Sequence, residues 1–211
     1  MSLGWYRENK IKIDDSVGLD EVGRGPLAGP VVAAAVWIDE ESALRLEASN
    51  LVVRDSKKMT AIQRKNVVDW VLEQPSLHYS IGQASVQEID ALNILRAALL
   101  AMARAYAALG LTKEYALVDG NRAPDLPHAL VKTVVKGDDK VLAISLASIL
   151  AKAHRDAAMR LLAKEYPQYG WDTNVGYGTL AHVAAIRKYG VTPHHRRTFA
   201  PIRSMLQETV A

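Results

Sequence analysis

A chain of 211 residues that is 49% hydrophobic is long enough for one domain with a real core, with room for a small appendage. It has no cysteine, which excludes a disulfide framework and a thiolate metal site. It has no apolar run of about 18 residues, which excludes an apolar membrane span, and the N-terminal MSLGWYRENKIKIDDS lacks the apolar stretch of a signal peptide, so the cytoplasm is the expected location.

In chain order, residues 1–15 are polar and read as a frayed or short edge segment. Val17 to Val22 reads as a first strand, and Val31 to Ile38 as a second that is apolar on both faces and therefore buried. A polar connection from Asp39 leads into a short helix over Ala43 to Ala48. Thr60 is placed to cap a helix from Ala61 to Glu73, ended by Pro75. His78 to Ala84 alternates as a third strand. Ser85 and Glu88 form a capping box for a long Ala- and Leu-rich helix, with a break near Asp90 and a stop at Gly110. Tyr115 to Val118 is a fourth strand ending at Asp119, and Ala129 to Val135 a fifth that ends before Asp138. Val141 to Glu165 is a second long helix, Thr179 to Tyr189 a shorter one, and Pro201 to Ala211 a last turn or helix. Strands, then helix-linked strands, then helices make an α/β sheet followed by a helical C-terminal part.

The stretch GLDEVGRGPLAGP, residues 18–30, stands out. Adjacent acids Asp20 and Glu21 at the end of a buried strand are costly without a cation, and the glycines after them allow close backbone approach to a ligand. Asp119 and Asp138 also stand at or just past strand ends, where ligand groups of open α/β sheets gather. If the first, fourth and fifth strands are parallel neighbours, these four acids converge. An all-oxygen cluster suits Mg²⁺ or Mn²⁺, and two such ions can promote phosphodiester cleavage. Taken singly, an aspartate at a strand end is more often a turn or cap residue; Asp125, Asp139, Asp156 and Asp172 are left in that class or as structural partners. Gly23, Gly25 and Gly29 do not make a dinucleotide fingerprint, because a strand follows where a helix should begin.

The net charge of +3 and pI of about 9.0 are compatible with nucleic acid without indicating it. One basic group comprises Arg54, Lys57, Lys58, Arg64 and Lys65; another comprises Arg187, Lys188, His194, His195, Arg196, Arg197 and Arg203. Each is a phosphate-binding surface or a solvated face.

GLDEVGRGPLAGPVVAAAV, DSKKM, LVDGN, VKGDDK, SILAKAHRD, GYGT and HRRTF follow one another here in the order seen in ribonuclease HII of the bacterial type, a type 2 ribonuclease H. The chain resembles that family from about residue 16 to 203. The resemblance implies a ribonuclease H-like fold, a five-stranded mixed sheet flanked by helices with a helical C-terminal extension, divided at residues 1–165 and 166–211 but acting as one unit. It implies an endonuclease that cuts RNA in RNA–DNA hybrids and cuts 5′ of ribonucleotides embedded in duplex DNA, leaving 3′-OH and 5′-phosphate ends, in ribonucleotide removal during replication and repair. It assigns Asp20, Glu21, Asp119 and Asp138 as catalytic acids and metal ligands for one or two Mg²⁺ or Mn²⁺ ions, the second arriving with substrate. It assigns Gly23, Arg24 and Gly25 to the ribonucleotide 2′-OH, the group that separates RNA from DNA, and Tyr177 to the junction with the following deoxynucleotide; the alternative for Tyr177 is a core aromatic. Ser56 and Lys57 match a pair near the phosphates. Lys152 and Arg155, on one helical face with Ser148 and Asp156, and His195 with Arg196 match positions that bind phosphates or brace the structure. The implied state is a monomer with no membrane association.

Two positions depart from the family pattern: Val175 replaces the lysine usual before GYGT, and Val141 follows Lys140 where a serine is common. Two other functions compete with this reading. A ribonuclease-H-like resolvase acting on DNA would have no use for elements that read a 2′-OH. In a silent nucleic-acid-binding module, an uncompensated acid cluster would impair anion binding.

Overall fold

β1 (Ser16–Val22) carries the paired acids and lies at the centre of a five-stranded sheet. The structure, a computed structural model, describes residues 3–208. β1 pairs antiparallel with β2 (Val31–Trp37), which pairs antiparallel with β3 (His78–Ala84). On its other side β1 runs parallel to β4 (Tyr115–Asp119), and β4 runs parallel to β5 (Leu130–Val134), giving the order β3-β2-β1-β4-β5. β2 has neighbours on both edges and helices on both faces, so it tolerates no polar residue; β5 is an edge strand and largely exposed.

The period-2 alternation of the strands divides the core. Val17 and Leu19 of β1 join Val31, Ala33 and Ala35 of β2 on one face, covered by α5 (Ile94–Leu109). Val32, Ala34 and Val36 point to the other face, covered by α6 (Leu142–Glu165). Both helices approach closely over glycines. A Cβ on Gly82 would lie 2.2 Å from the Ala101 carbonyl oxygen of α5, and one on Gly18 would lie 2.3 Å from the Ala143 carbonyl carbon of α6. Because the second obstacle is backbone on a packed helix, Gly18→Ala is expected to cost about 3 kcal/mol of stability, seen as a lower denaturant midpoint at unchanged m-value.

The first fifteen residues correct the expectation of a frayed segment, leaving aside Met1 and Ser2, which lie outside the described residues. α1 (Gly4–Glu8) and a 3₁₀ turn at Ile13–Asp15 bury Leu3, Tyr6, Ile11 and Ile13 in the core on the α6 side. Four apolar side chains among polar neighbours are enough to dock the segment. α2 (Glu40–Ala48) starts earlier than expected because the Asp39 carboxylate caps it at the Ser42 N–H. α3 (Ala61–Leu72) has its capping box, and so does α4 (Val86–Leu92). The break before α5 falls at Asn93 rather than near Asp90: Asn93 takes φ 72° and its side chain caps Leu95 and Arg96.

Beyond α6 come α7 (Trp171–Asn174), α8 (Leu180–Tyr189) and α9 (Ile202–Glu208). The end expected for the last helix, residues 209–211, lies outside the described residues. Trp171, Tyr169, Ile186 and Ile202 of this part pack with Met159 of α6 and with Leu27 and Ala28 from the loop after β1. Among the described residues no helix is long and apolar enough to cross a membrane.

Candidate active site

β1, β4 and β5 are adjacent and parallel, the condition for the acids to converge. Their register pairs Leu19 with Val118, so Asp20, one residue on, comes alongside Asp119. Asp138 stands in the 3₁₀ turn after β5, Gly137–Asp139. Asp119 ties that turn to its own strand: Oδ1 accepts from the Gly137 N–H at 2.7 Å and from the Asp138 N–H at 3.4 Å.

The site is electrostatically costly. Asp20 is 6% exposed. Burial, then the charges of Glu21 and Asp119, push its carboxyl well above the usual range, against opposing hydrogen bonds from the Ser148 hydroxyl and the Glu21 N–H. Burial likewise raises Glu21, opposed by Arg24, whose Nη1 lies 3.1 Å from Glu21 Oε1. Asp138 is raised by burial and by Asp119, Asp55 and Asp139, with Lys57 opposing. Asp55 therefore joins the acid field; read from sequence, DSKKM shows its two lysines more plainly than its aspartate.

Among the described residues, no group of three or more His, Asp or Glu is arranged to hold a metal ion. Each acid just described, Asp138 apart, turns an oxygen to a protein donor instead. The donor chemistry still fits a hard cation: carboxylate oxygens alone, desolvated and mutually repelling, gain most from a divalent ion.

The loop from Gly23 to Pro30 is held from beneath by two arginines. Arg155 of α6 donates from Nε to the Pro30 carbonyl at 3.0 Å, from Nη1 to Val175 at 2.9 Å and from Nη2 to Ala28 at 3.0 Å. Arg196 donates to the carbonyls of Gly23, Arg24, Gly29 and Pro30. Both arginines are 0% exposed, and His195 is 1% exposed. Of the two roles open to these residues, the observed contacts are those of bracing: the arginines grip backbone carbonyls from inside, and His195 bonds to Thr192 and His182. Burial and the charge of Arg155 lower Arg196 to about 9, so it stays charged at neutral pH. The underlying geometry requires Gly23, which has φ 94° and where a Cβ would lie 2.3 Å from Arg155 Nε. Val175, at φ 43°, enters this grip through its carbonyl, a use indifferent to the missing lysine side chain.

Tyr177 is 42% exposed, which removes the core-aromatic alternative. A Cβ on Gly25 would lie 3.5 Å from Tyr177 Cε1, so the ring flanks the Gly23–Gly25 backbone. Arg24 is exposed and turned to Glu21.

Ser56, expected near phosphates, is 2% exposed. Its Oγ lies 2.9 Å from Ser148 Oγ, and with Ser148 donating to Asp20 the two hydroxyls form a relay toward that acid. Lys57 is exposed. Lys152 pairs with Asp156 at 2.7 Å, the bracing alternative, with its side chain 15% exposed. Asp139 is a structural partner as assigned, bound to Lys58 at 2.7 Å. The second basic group divides, because its His195 and Arg196 are interior while Arg187, Lys188, Arg197 and Arg203 are exposed.

A family model described as Ribonuclease HII matches residues 17–202. The ribonuclease HII of Rhodospirillum rubrum is 53% identical over 190 residues, covering 90% of this chain and 85% of the relative. Ribonuclease HII 1 of Methylibium petroleiphilum is 45% identical over 95% of this chain and 98% of its own. The crystal structure of ribonuclease H2 from Pyrococcus horikoshii superposes with a TM-score of 0.75 at 28% identity, covering 92% of this chain and 97% of the other. The sheet and its flanking helices are thus the ribonuclease H-like α/β fold.

Proposed function

The chain belongs to the ribonuclease HII family, and from that premise we propose that it is a divalent-metal-dependent endoribonuclease that cuts RNA–DNA hybrids and cuts 5′ of ribonucleotides embedded in duplex DNA. The observation that carries the proposal is the meeting of Asp20 and Glu21 with Asp119 at the parallel ends of β1 and β4, beside the Gly23–Gly25 loop, where burial and the Asp119 charge raise Asp20 and Glu21. Asp20, Glu21, Asp119 and Asp138 would hold Mg²⁺ or Mn²⁺, one or two ions. When bound, the ions supply Lewis acidity for phosphodiester hydrolysis.

The residues of the chain do the rest. Ser148, backed by Ser56, orients the Asp20 carboxylate. Asp119 fixes the turn that presents Asp138. Arg24 holds Glu21 until substrate and cation compete for it. The Gly23–Gly25 backbone and the Tyr177 phenol would meet the ribose 2′-OH, which a deoxyribose lacks. Arg155 and Arg196 set the shape of that loop, while exposed cations such as Lys57 serve the phosphates. We read residues 166–211 as an extension that completes the substrate face of the 1–165 core, since it contributes Tyr177 and Arg196. The unit acts as a monomer, in removal of ribonucleotides from DNA during replication and repair.

The test uses a duplex with one embedded ribonucleotide, the all-DNA duplex, and a long RNA–DNA hybrid, each with Mg²⁺, Mn²⁺ or excess EDTA. Cleavage is expected 5′ of the ribonucleotide, leaving 3′-OH and 5′-phosphate ends, and only with metal. Equal cutting of the all-DNA duplex, or binding without metal-dependent cutting, overturns the proposal.

A further inference from the structure

Under the Tyr177 turn lies a buried cluster that the chemistry above does not use: Trp171 and His182 are 0% exposed and His195 is 1% exposed. Its hydrogen bonds fix where the imidazole protons lie. The Thr192 N–H donates to His195 Nδ1 at 2.9 Å, so the His195 proton is on Nε2. That Nε2 lies 3.2 Å from His182 Nε2, and the Trp171 indole N–H donates to the same His182 atom at 3.0 Å. His182 Nε2 therefore accepts, and the His182 proton is on Nδ1, 2.8 Å from the Tyr177 carbonyl oxygen. Every ring nitrogen of the pair has one consistent role. Burial lowers both imidazoles, His195 to about 4, so the pair is neutral at physiological pH and this arrangement persists.

The tether matters because of what it holds. Tyr177 stands between Gly176, at φ 87°, and Gly178. A glycine on each side leaves the backbone soft, yet a group that reads a sugar must be held to within a fraction of an ångström. The Thr179 N–H also reaches the Tyr177 carbonyl, at 2.9 Å, but from only two residues away. His182 is the side chain that joins this carbonyl to the buried C-terminal interior. The same interior backs the Gly23–Gly25 loop: Leu27 N–H donates to Gly176, Gly29 N–H to His194 and Arg196 N–H to Leu27.

We propose that His182 is a positioning residue for Tyr177, holding its carbonyl through Nδ1–H and so keeping the phenol ring against Gly25. The functional part of this inference rests on the reading of Tyr177 as the residue that senses the ribonucleotide junction.

Three measurements test it on the full chain. The first is the ¹⁵N spectrum of the wild-type imidazoles, expected to show Nδ1–H at His182 and Nε2–H at His195; an Nε2–H or doubly protonated His182 overturns the inference. The second is the ring resonance of Tyr177, expected to move in His182→Leu and to return toward wild type in His182→Asn, whose amide restores an N–H donor. The third is the ratio of single-ribonucleotide to long-hybrid cleavage, expected to fall about fivefold in His182→Leu and to recover in His182→Asn. A folded His182→Leu variant with an unmoved Tyr177 resonance and an unchanged ratio overturns the positioning role. Tyr177→Ala, run beside it, separates the premises: if it leaves the ratio unchanged, the reading of Tyr177 falls, and the tautomer and ring signals alone judge His182.

Discussion

Asp119→Asn is expected to lower cleavage by at least roughly a thousandfold while making the metal-free protein more stable. The two effects have one cause. Burial raises the carboxyls of Asp20, Glu21 and Asp138, and the Asp119 charge adds to all three shifts. Its Oδ1 also holds the Gly137 and Asp138 N–H groups, and an asparagine oxygen can still accept from both. The substitution therefore removes a charge without untying the turn. An acid with a raised folded pKa contributes stability below its unfolded pKa, and that contribution is lost as pH rises through the folded value. The metal-free wild type should then lose stability as pH climbs above the ordinary carboxylate range, and Asp119→Asn should lose less. Relief of about 1 kcal/mol corresponds to a melting temperature about 2–4 °C higher for a chain of this size. The difference should vanish at pH low enough to protonate the acids, and it should narrow when Mg²⁺ or Mn²⁺ stabilises the wild type. Calorimetry across pH, with EDTA and with metal, measures this; an Asp119→Asn variant that still cuts removes Asp119 from the chemistry.

The sequence revealed the elements better than their meeting. Period-2 runs, capping residues and glycine stops placed all five strands and the longer helices within a few residues, because those signals act over one or two turns of chain. The order of strands is set by burial across the whole sheet, so the parallel neighbours β1, β4 and β5 remained a condition that residue patterns could state without meeting it. The N-terminal segment was misread because its polar residues outnumber the four apolar ones that dock it. The same limit shaped the site. The acids were legible as types and positions. Arg155, Arg196 and His195 stayed open between phosphate binding and bracing, because a basic residue in a polar stretch looks solvated until its partners are known. The signal available was weak: Arg155 follows the apolar run of α6, and Arg196 is followed by a second arginine that is exposed. His182 had no signal, since one histidine on a short helix is most often an ordinary surface residue.

Arg196→Ala is expected to cost about 4 kcal/mol of stability and most of the cleavage activity, because it leaves buried carbonyls without donors. Those carbonyls belong to Gly23, Arg24, Gly29 and Pro30, the two ends of the loop beside the acids. The cation–π contact of its guanidinium over the Phe199 ring, at 5.0 Å, goes as well. Arg196→Lys keeps the charge, but an ammonium lacks the planar fork that reaches carbonyls at both ends of the loop, so it should recover part of the stability at most. A phosphate-binding arginine makes the opposite forecast. Removing one leaves unfolding unchanged, weakens substrate binding, and flattens the dependence of log affinity on log salt by about one counterion. For Arg196, at 0% exposure, the salt slope should stay at its wild-type value while the unfolding midpoint falls. Lys57, exposed beside Asp138, is the contrasting case: Lys57→Ala should flatten the salt slope and leave unfolding nearly untouched. Denaturant titration with duplex binding at several salt concentrations measures both quantities on each variant. An Arg196→Ala variant of wild-type stability with a reduced salt slope would return that arginine to the phosphate surface.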